Sequence, residues 1–153
     1  MIYSVFPTKD TTIFEHSSSM NTGIDEILEI TKLISQSAEP YGDKIYNSRV
    51  LMQFDMDSVS QSIADGTIGK SNLKFYLNMF ISEASDLAYT YGLEARAVSQ
   101  SWEMGIGRVN HYPSTTEGAS WTFRNGAKEG LSSWATSSWA AASTGSWTTS
   151  SYN

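Results

Sequence analysis

Residues 72–81 alternate more strictly than any other stretch of this chain. Leu73, Phe75, Leu77, Met79 and Ile81 fall on one side of an extended backbone, and Lys74, Tyr76, Asn78 and Phe80 on the other. A period of two suits a strand and cannot keep one face of a helix apolar. Residues 48–56 follow the same rule, with Val50, Met52, Phe54 and Met56 opposite Arg49, Leu51, Gln53 and Asp55. Residues 88–98 repeat it: Tyr89, Tyr91, Leu93, Ala95 and Ala97 share a face, and Glu94 and Arg96 point out. Three such runs commit the chain to β structure. An aromatic content of 12% with few charged residues supports this, because aromatic and β-branched side chains fit a pleated surface.

The remaining elements are shorter. Residues 2–6 and 11–15 are β-prone runs split by a predicted turn at Pro7-Thr8-Lys9-Asp10, followed by a polar loop from His16 to Gly23. Residues 24–34 fit two templates. Ile24, Ile27 and Leu28 have helical spacing, with Thr22 and Asp25 as candidate caps, whereas Leu28, Ile30 and 31–34 are β-rich. Residues 35–47 read as a polar loop. Asp57–Asp65 predict one short helical piece, with Val59 and Ile63 four apart and Gly66 and Gly69 ending it. Trp121–Arg124 predict a short strand, with a turn at Asn125-Gly126.

At 153 residues the chain is long enough for one domain with its own core. A net charge of −6 without a basic cluster disfavours nucleic acid as a partner. The absence of cysteine removes disulfides, thiolate metal sites and a cysteine nucleophile. Met1–Pro7 has neither a basic nor an apolar leader region, so no signal peptide is expected, and no apolar run reaches the roughly 20 residues of a membrane span.

Two tryptophan motifs mark the second half: Ser101-Trp102-Glu103-Met104-Gly105-Ile106-Gly107-Arg108 and Gly118-Ala119-Ser120-Trp121-Thr122-Phe123. Between them, residues 103–120 read as one long ordered loop. From Gly130 onward no side chain is charged, and Trp134, Trp139 and Trp147 sit among Ser, Thr and Ala. Free disorder avoids aromatics, so this tail is expected to pack on its own domain or on a neighbouring chain. The expected division is a domain over residues 1–129 and a distinct segment over 130–153.

Taken in order, these motifs resemble the DNRLRE-type modules, relatives of carbohydrate-binding jelly rolls. The resemblance is carried by Thr8-Lys9-Asp10-Thr11-Thr12-Ile13, Asn21-Thr22-Gly23, Ile27-Leu28-Glu29-Ile30, Ser48 to Asp55, Asn72 to Phe80, Gln100 to Glu103, and Gly118-Ala119-Ser120-Trp121. It covers roughly residues 3–126. It implies an all-β, antiparallel jelly-roll-like β-sandwich with one short helical turn, makes residues 24–34 strand, and gives Arg49, Phe54, Asp55 and Gly118 structural roles. Members usually add closing strands after the second Trp motif, where this chain has only its uncharged tail. The opening residues Tyr3 to Ile13, with Asn21 to Glu29, are also similar to virion structural proteins of tailed phages.

The functional expectation is a non-catalytic virion protein, assembled in the host cytoplasm, docking on or decorating the capsid or tail. Its partners would be other virion proteins and copies of itself, with no membrane insertion. The alternative is a carbohydrate-binding module for a surface polysaccharide. Candidate contact residues under either reading are Tyr89, Tyr91, Trp102, Trp121, Trp134, Trp139 and Trp147; large aromatics serve equally as core anchors. Arg49 and Asp55, six apart on one strand face, are a candidate ion pair. Asp10, Asp25, Glu26 and Glu29 are weak candidates for Ca²⁺, which needs several oxygens, and solvated acids explain them as well. No other cofactor is expected. His16 and His111 sit in separate loops without a catalytic motif, and Asp55 with Asp57 reads as a solvated rim rather than a glycosidase pair, so no enzyme is expected.

Overall fold

The structure, a computed structural model, describes residues 2–35, 43–85, 93–98, 100–111, 115, 117–126 and 132–134. Among them the fold is mainly β with a single α-helix. Strands β1 (Pro7–Phe14), β2 (Lys32–Ser35) and β3 (Lys44–Phe54) form an antiparallel sheet in the order β1-β3-β2. Helix α1 (Asp57–Ala64) follows β3, and β4 (Phe123–Asn125) pairs antiparallel with β5 (Ser132–Ser133).

β3 is the centre of the sheet. Thr11 lies opposite Leu51 and Thr12 opposite Val50 on one side, and Leu33 lies opposite Tyr46 on the other. Of its two faces, the one bearing Leu51 and Arg49 turns toward the core, where Leu51 is buried. Ile13, Leu51, Trp102 and Ala119 make that core, with Val98, Met104, Trp121 and Trp134 packed against it. Thus the first strand, the central strand and both tryptophan motifs meet at one place, although they are spread over most of the chain.

Pro7-Thr8-Lys9-Asp10 is not a turn but the start of β1. A bulge between Pro7 and Lys9 absorbs the irregularity, and proline has no N–H to withhold at the first position of a strand. The predicted 24–34 strand is present only as β2; residues 24–31 form neither helix nor strand. Ser48 ties this irregular stretch to β3, its hydroxyl donating to the Glu29 carbonyl (2.9 Å) and accepting the Thr31 N–H (2.7 Å). The helix forms where expected: Asp55 accepts the Asp57 N–H at 2.9 Å, Val59 is the buried inward residue, and Gly66 closes the end at φ +81°.

Two predicted strands are not seen among the described residues. Residues 70–72 form a 3₁₀ turn, and 73–81 follow without pairing to any described strand. Alternation supplies a strand with two faces but not with a partner, and a strand exists only through its ladder. Residues 93–98, the described part of the 88–98 run, likewise form no strand. Ala95 and Ala97 are exposed, Val98 reaches the core, and Arg96 bonds Glu94 at 2.6 Å.

Candidate functional site

The motif residues converge on Asn21. Its side chain is buried, and all four of its hydrogen-bonding positions are filled. Nδ2 donates to the Met104 and Ala119 carbonyls, each at 2.8 Å, while Oδ1 accepts the N–H groups of Gly107 (2.8 Å) and Gly23 (3.2 Å). Carbonyls only accept and amides only donate, so these partners fix the orientation of the side chain. One asparagine thereby holds both ends of the 103–120 loop. The loop glycines follow from this closeness. A Cβ on Gly107 would strike the Asn21 carbonyl, and one on Gly118, at φ +93°, would strike Gly105 and the Asn21 amide.

Thr22 does a second job in the same turn. Its hydroxyl donates to the Thr12 carbonyl (2.7 Å) and accepts the Thr12 N–H (3.2 Å). Those Thr12 groups lie on the edge of β1 away from β3, so one hydroxyl replaces a neighbouring strand there. Thr22 is therefore not a helix cap. Thr11, Thr12, Thr22 and Ser120 are buried polar residues that composition left undistinguished. The signal that could have found them is Asn-x-Gly with three glycines in a later loop, since a tight backbone approach needs a polar hub.

Trp102 is 4% exposed and belongs to the core, so it offers no ring to a ligand. Arg49 lies over the Trp121 ring at 4.2 Å from its centroid, covering one face of it. Burial lowers the Arg49 pKa below its usual value, with Glu15 opposing this shift and Arg96 adding to it. The expected Arg49–Asp55 ion pair does not form among the described residues; Arg49 goes to Trp121, and Asp55 precedes α1. Phe54, at the end of β3, is partly buried opposite Pro7. Trp134 is partly buried on the core, its indole Nε1 donating to the Ser120 carbonyl at 2.9 Å. Residues 132–134 thus lie against the domain. Tyr89, Tyr91, Trp139 and Trp147 lie outside the described residues.

The acids gather only in part. Asp25, Glu26 and Glu29 line an open depression of about 260 Å³ with Ile27, Arg108 and Val109. Asp25 is engaged by the Val109 N–H at 3.1 Å, and Arg108 stands 4.0 Å from Glu26. Asp10 is on β1, opposite Met52. Among the described residues no group of three or more His, Asp or Glu side chains is arranged to hold a metal ion, so Asp10, Asp25 and Glu29 do not make a Ca²⁺ site together.

Among the described residues, a run of exposed apolar side chains lies elsewhere, on 73–81. Phe75, Tyr76, Leu77, Met79, Phe80 and Ile81 are all exposed, from 48% at Leu77 to 95% at Phe80. No helix among the described residues is long and apolar enough to cross a membrane. No family model, curated protein or solved structure matches the chain, so the likeness to DNRLRE-type modules rests on the motif residues themselves.

Proposed function

We propose that this protein is a non-catalytic structural component of a tailed-phage particle, a jelly-roll-like module that docks on or decorates the capsid or tail. The observation that carries the docking role is the uncharged apolar stretch Phe75–Ile81, displayed to solvent. Apolar patches on monomeric proteins seldom exceed a few hundred Å², and larger ones mark contact surfaces. The virion setting draws its support from the likeness of residues 3–13 and 21–29 to tailed-phage virion proteins. The aromatic anchors favour scaffolding over sugar binding, since Trp102 is internal and Trp121 is capped by Arg49. The described depression brings acids beside an arginine, in an open dish without a nucleophile–base pair, which favours a non-catalytic role.

The test is co-sedimentation of the purified full chain with phage particles stripped of it, followed by imaging. Saturable binding at defined particle positions is expected, reduced at least tenfold in Phe75→Ser/Phe80→Ser. Failure to bind any particle, with binding to a polysaccharide instead, would replace this reading with the carbohydrate-binding one.

A further inference from the structure

We propose that residues 73–81 are a donated strand, added to the open β2 edge of a second copy of this chain. The inference deepens the docking role proposed above, on which it rests for its biological setting, and names the partner of that surface.

The two edges of the three-stranded sheet differ. The outer side of β1 is engaged at its middle by the Thr22 hydroxyl, which takes both the N–H and the carbonyl of Thr12. The outer side of β2 has no such cover among the described residues. Leu33 and Ile34 are adjacent in β2, so they point to opposite faces, and both are exposed; so is Ile45, opposite Ile34 on β3. An edge strand that is apolar on both faces, with open backbone groups, is a template for another strand. Native edges are usually blunted by charge or proline, and β2 carries only Lys32, at its start.

Residues 73–81 have the opposite deficiency. They present an apolar odd face from Leu73 to Ile81 and an even face with Tyr76 and Phe80, but no backbone hydrogen bond to any described residue. The odd face is apolar throughout, while Lys74 and Asn78 interrupt the even one, and an apolar face of this kind packs against other apolar surface. At roughly 200 Å² for each fully exposed aromatic or long aliphatic residue, the six exposed side chains leave roughly 800 Å² on the surface. That is comparable to the roughly 800 Å² each partner contributes to a stable protein–protein interface. Among the described residues there is thus one open edge and one strand without a ladder, and a second copy supplies the complement of each. Because donor and acceptor are different surfaces, the contact is head-to-tail and generates a ring or a filament rather than an isolated two-fold dimer.

The lack of cysteine makes the pairing directly readable. Ile34→Cys and Leu77→Cys are prepared as separate full-length chains, and both positions are exposed, so folding should persist. Circular dichroism and thermal unfolding check this. Under mild oxidation the mixture is expected to give a covalent species of twice the chain mass, at least fivefold above either variant alone. A double variant, Ile34→Cys/Leu77→Cys, is expected to give a ladder of multimers. A fast-migrating internal crosslink in the double variant would show that the strand pairs within its own chain and would overturn the proposal. Efficient crosslinking of Leu77→Cys to itself would overturn it in favour of symmetric pairing, and a monomer with no crosslink would overturn it outright. Crosslinked multimers that bind no particle would leave this assembly standing and refute the virion role. Particle binding by an uncrosslinkable monomer would do the reverse.

Discussion

Replacing Asn21 by alanine should destabilise the fold by about 4 kcal/mol, since each of four hydrogen bonds contributes about 1 kcal/mol net. The figure is a lower bound in kind, because Gly23, Gly107 and Ala119 are buried and their backbone groups would lose a partner without gaining water. Domains unfold at a cost of about 5–15 kcal/mol, so the loss is a large fraction of the total and lowers the melting temperature by roughly 10 °C. Asn21→Asp separates the donors from the acceptor. The introduced carboxyl can still accept from Gly23 and Gly107, but it sets an oxygen against the Met104 and Ala119 carbonyls. Burial and those carbonyls raise its folded pKa above the unfolded value. Its protonated form restores one donor, so the variant is more stable below the ordinary carboxylate range and loses that stability as pH rises through the raised folded value. Urea unfolding followed by tryptophan fluorescence, repeated across acidic to neutral pH, measures both effects. A loss below about 1 kcal/mol for Asn21→Ala, or neutral-pH stability of Asn21→Asp equal to wild type, would refute the hub.

Three further expectations test the rest of the framework. Trp102→Ala should cost about 3–5 kcal/mol as a core cavity, measured by urea unfolding. Gly118→Ala should cost more than about 1 kcal/mol because φ is +93° and the Cβ meets Gly105, while Gly69→Ala, where a Cβ meets open space, should stay within about 0.5 kcal/mol. The hydroxyl and N–H of Thr67 lower the Asp65 pKa, so the small stabilisation it supplies is present above the ordinary carboxylate range and fades as pH falls through the depressed value; NMR titration should show Asp65 titrating below the exposed carboxylates, and nearer to them in Thr67→Ala.

Periodicity located β3 and α1, and Val59 is buried where four-residue spacing puts it; in β3, however, the buried residue is Leu51, on the face opposite the apolar set Val50, Met52, Phe54 and Met56, because Ile13, Trp102 and Ala119 pack on that side. Periodicity failed at 73–81 for a physical reason. The pattern reports which side chains seek burial, not whether the same chain contains the surface that buries them. The buried threonines were illegible for the opposite reason. Thr11, Thr12 and Thr22 look like ordinary strand and turn residues until the backbone brings Thr22 to the edge of β1. Arg49 looked like half of an ion pair with Asp55, since spacing along one strand ignores what packs across it; Trp121, more than seventy positions away, provides the ring it covers.

Three of the motifs that resemble DNRLRE modules thus share a physical task. Asn21-Thr22-Gly23 holds the 103–120 loop and caps β1; Ser48 and Arg49 tie residues 29–31 and Trp121 to the central strand; Gly118-Ala119-Ser120 packs beneath Trp134. None of these three reaches the outer edge of β2. A sequence that engages one edge with a single hydroxyl at Thr12 and leaves the other apolar on both faces is not uniformly unfinished. Were the β2 edge meant for water, the same short polar residues that finish β1 would suffice there, and Leu33 and Ile34 would be the first positions to replace. Their apolar character, in a chain whose residues 73–81 carry seven apolar side chains and no ladder to a described strand, makes strand addition between copies the economical account of both.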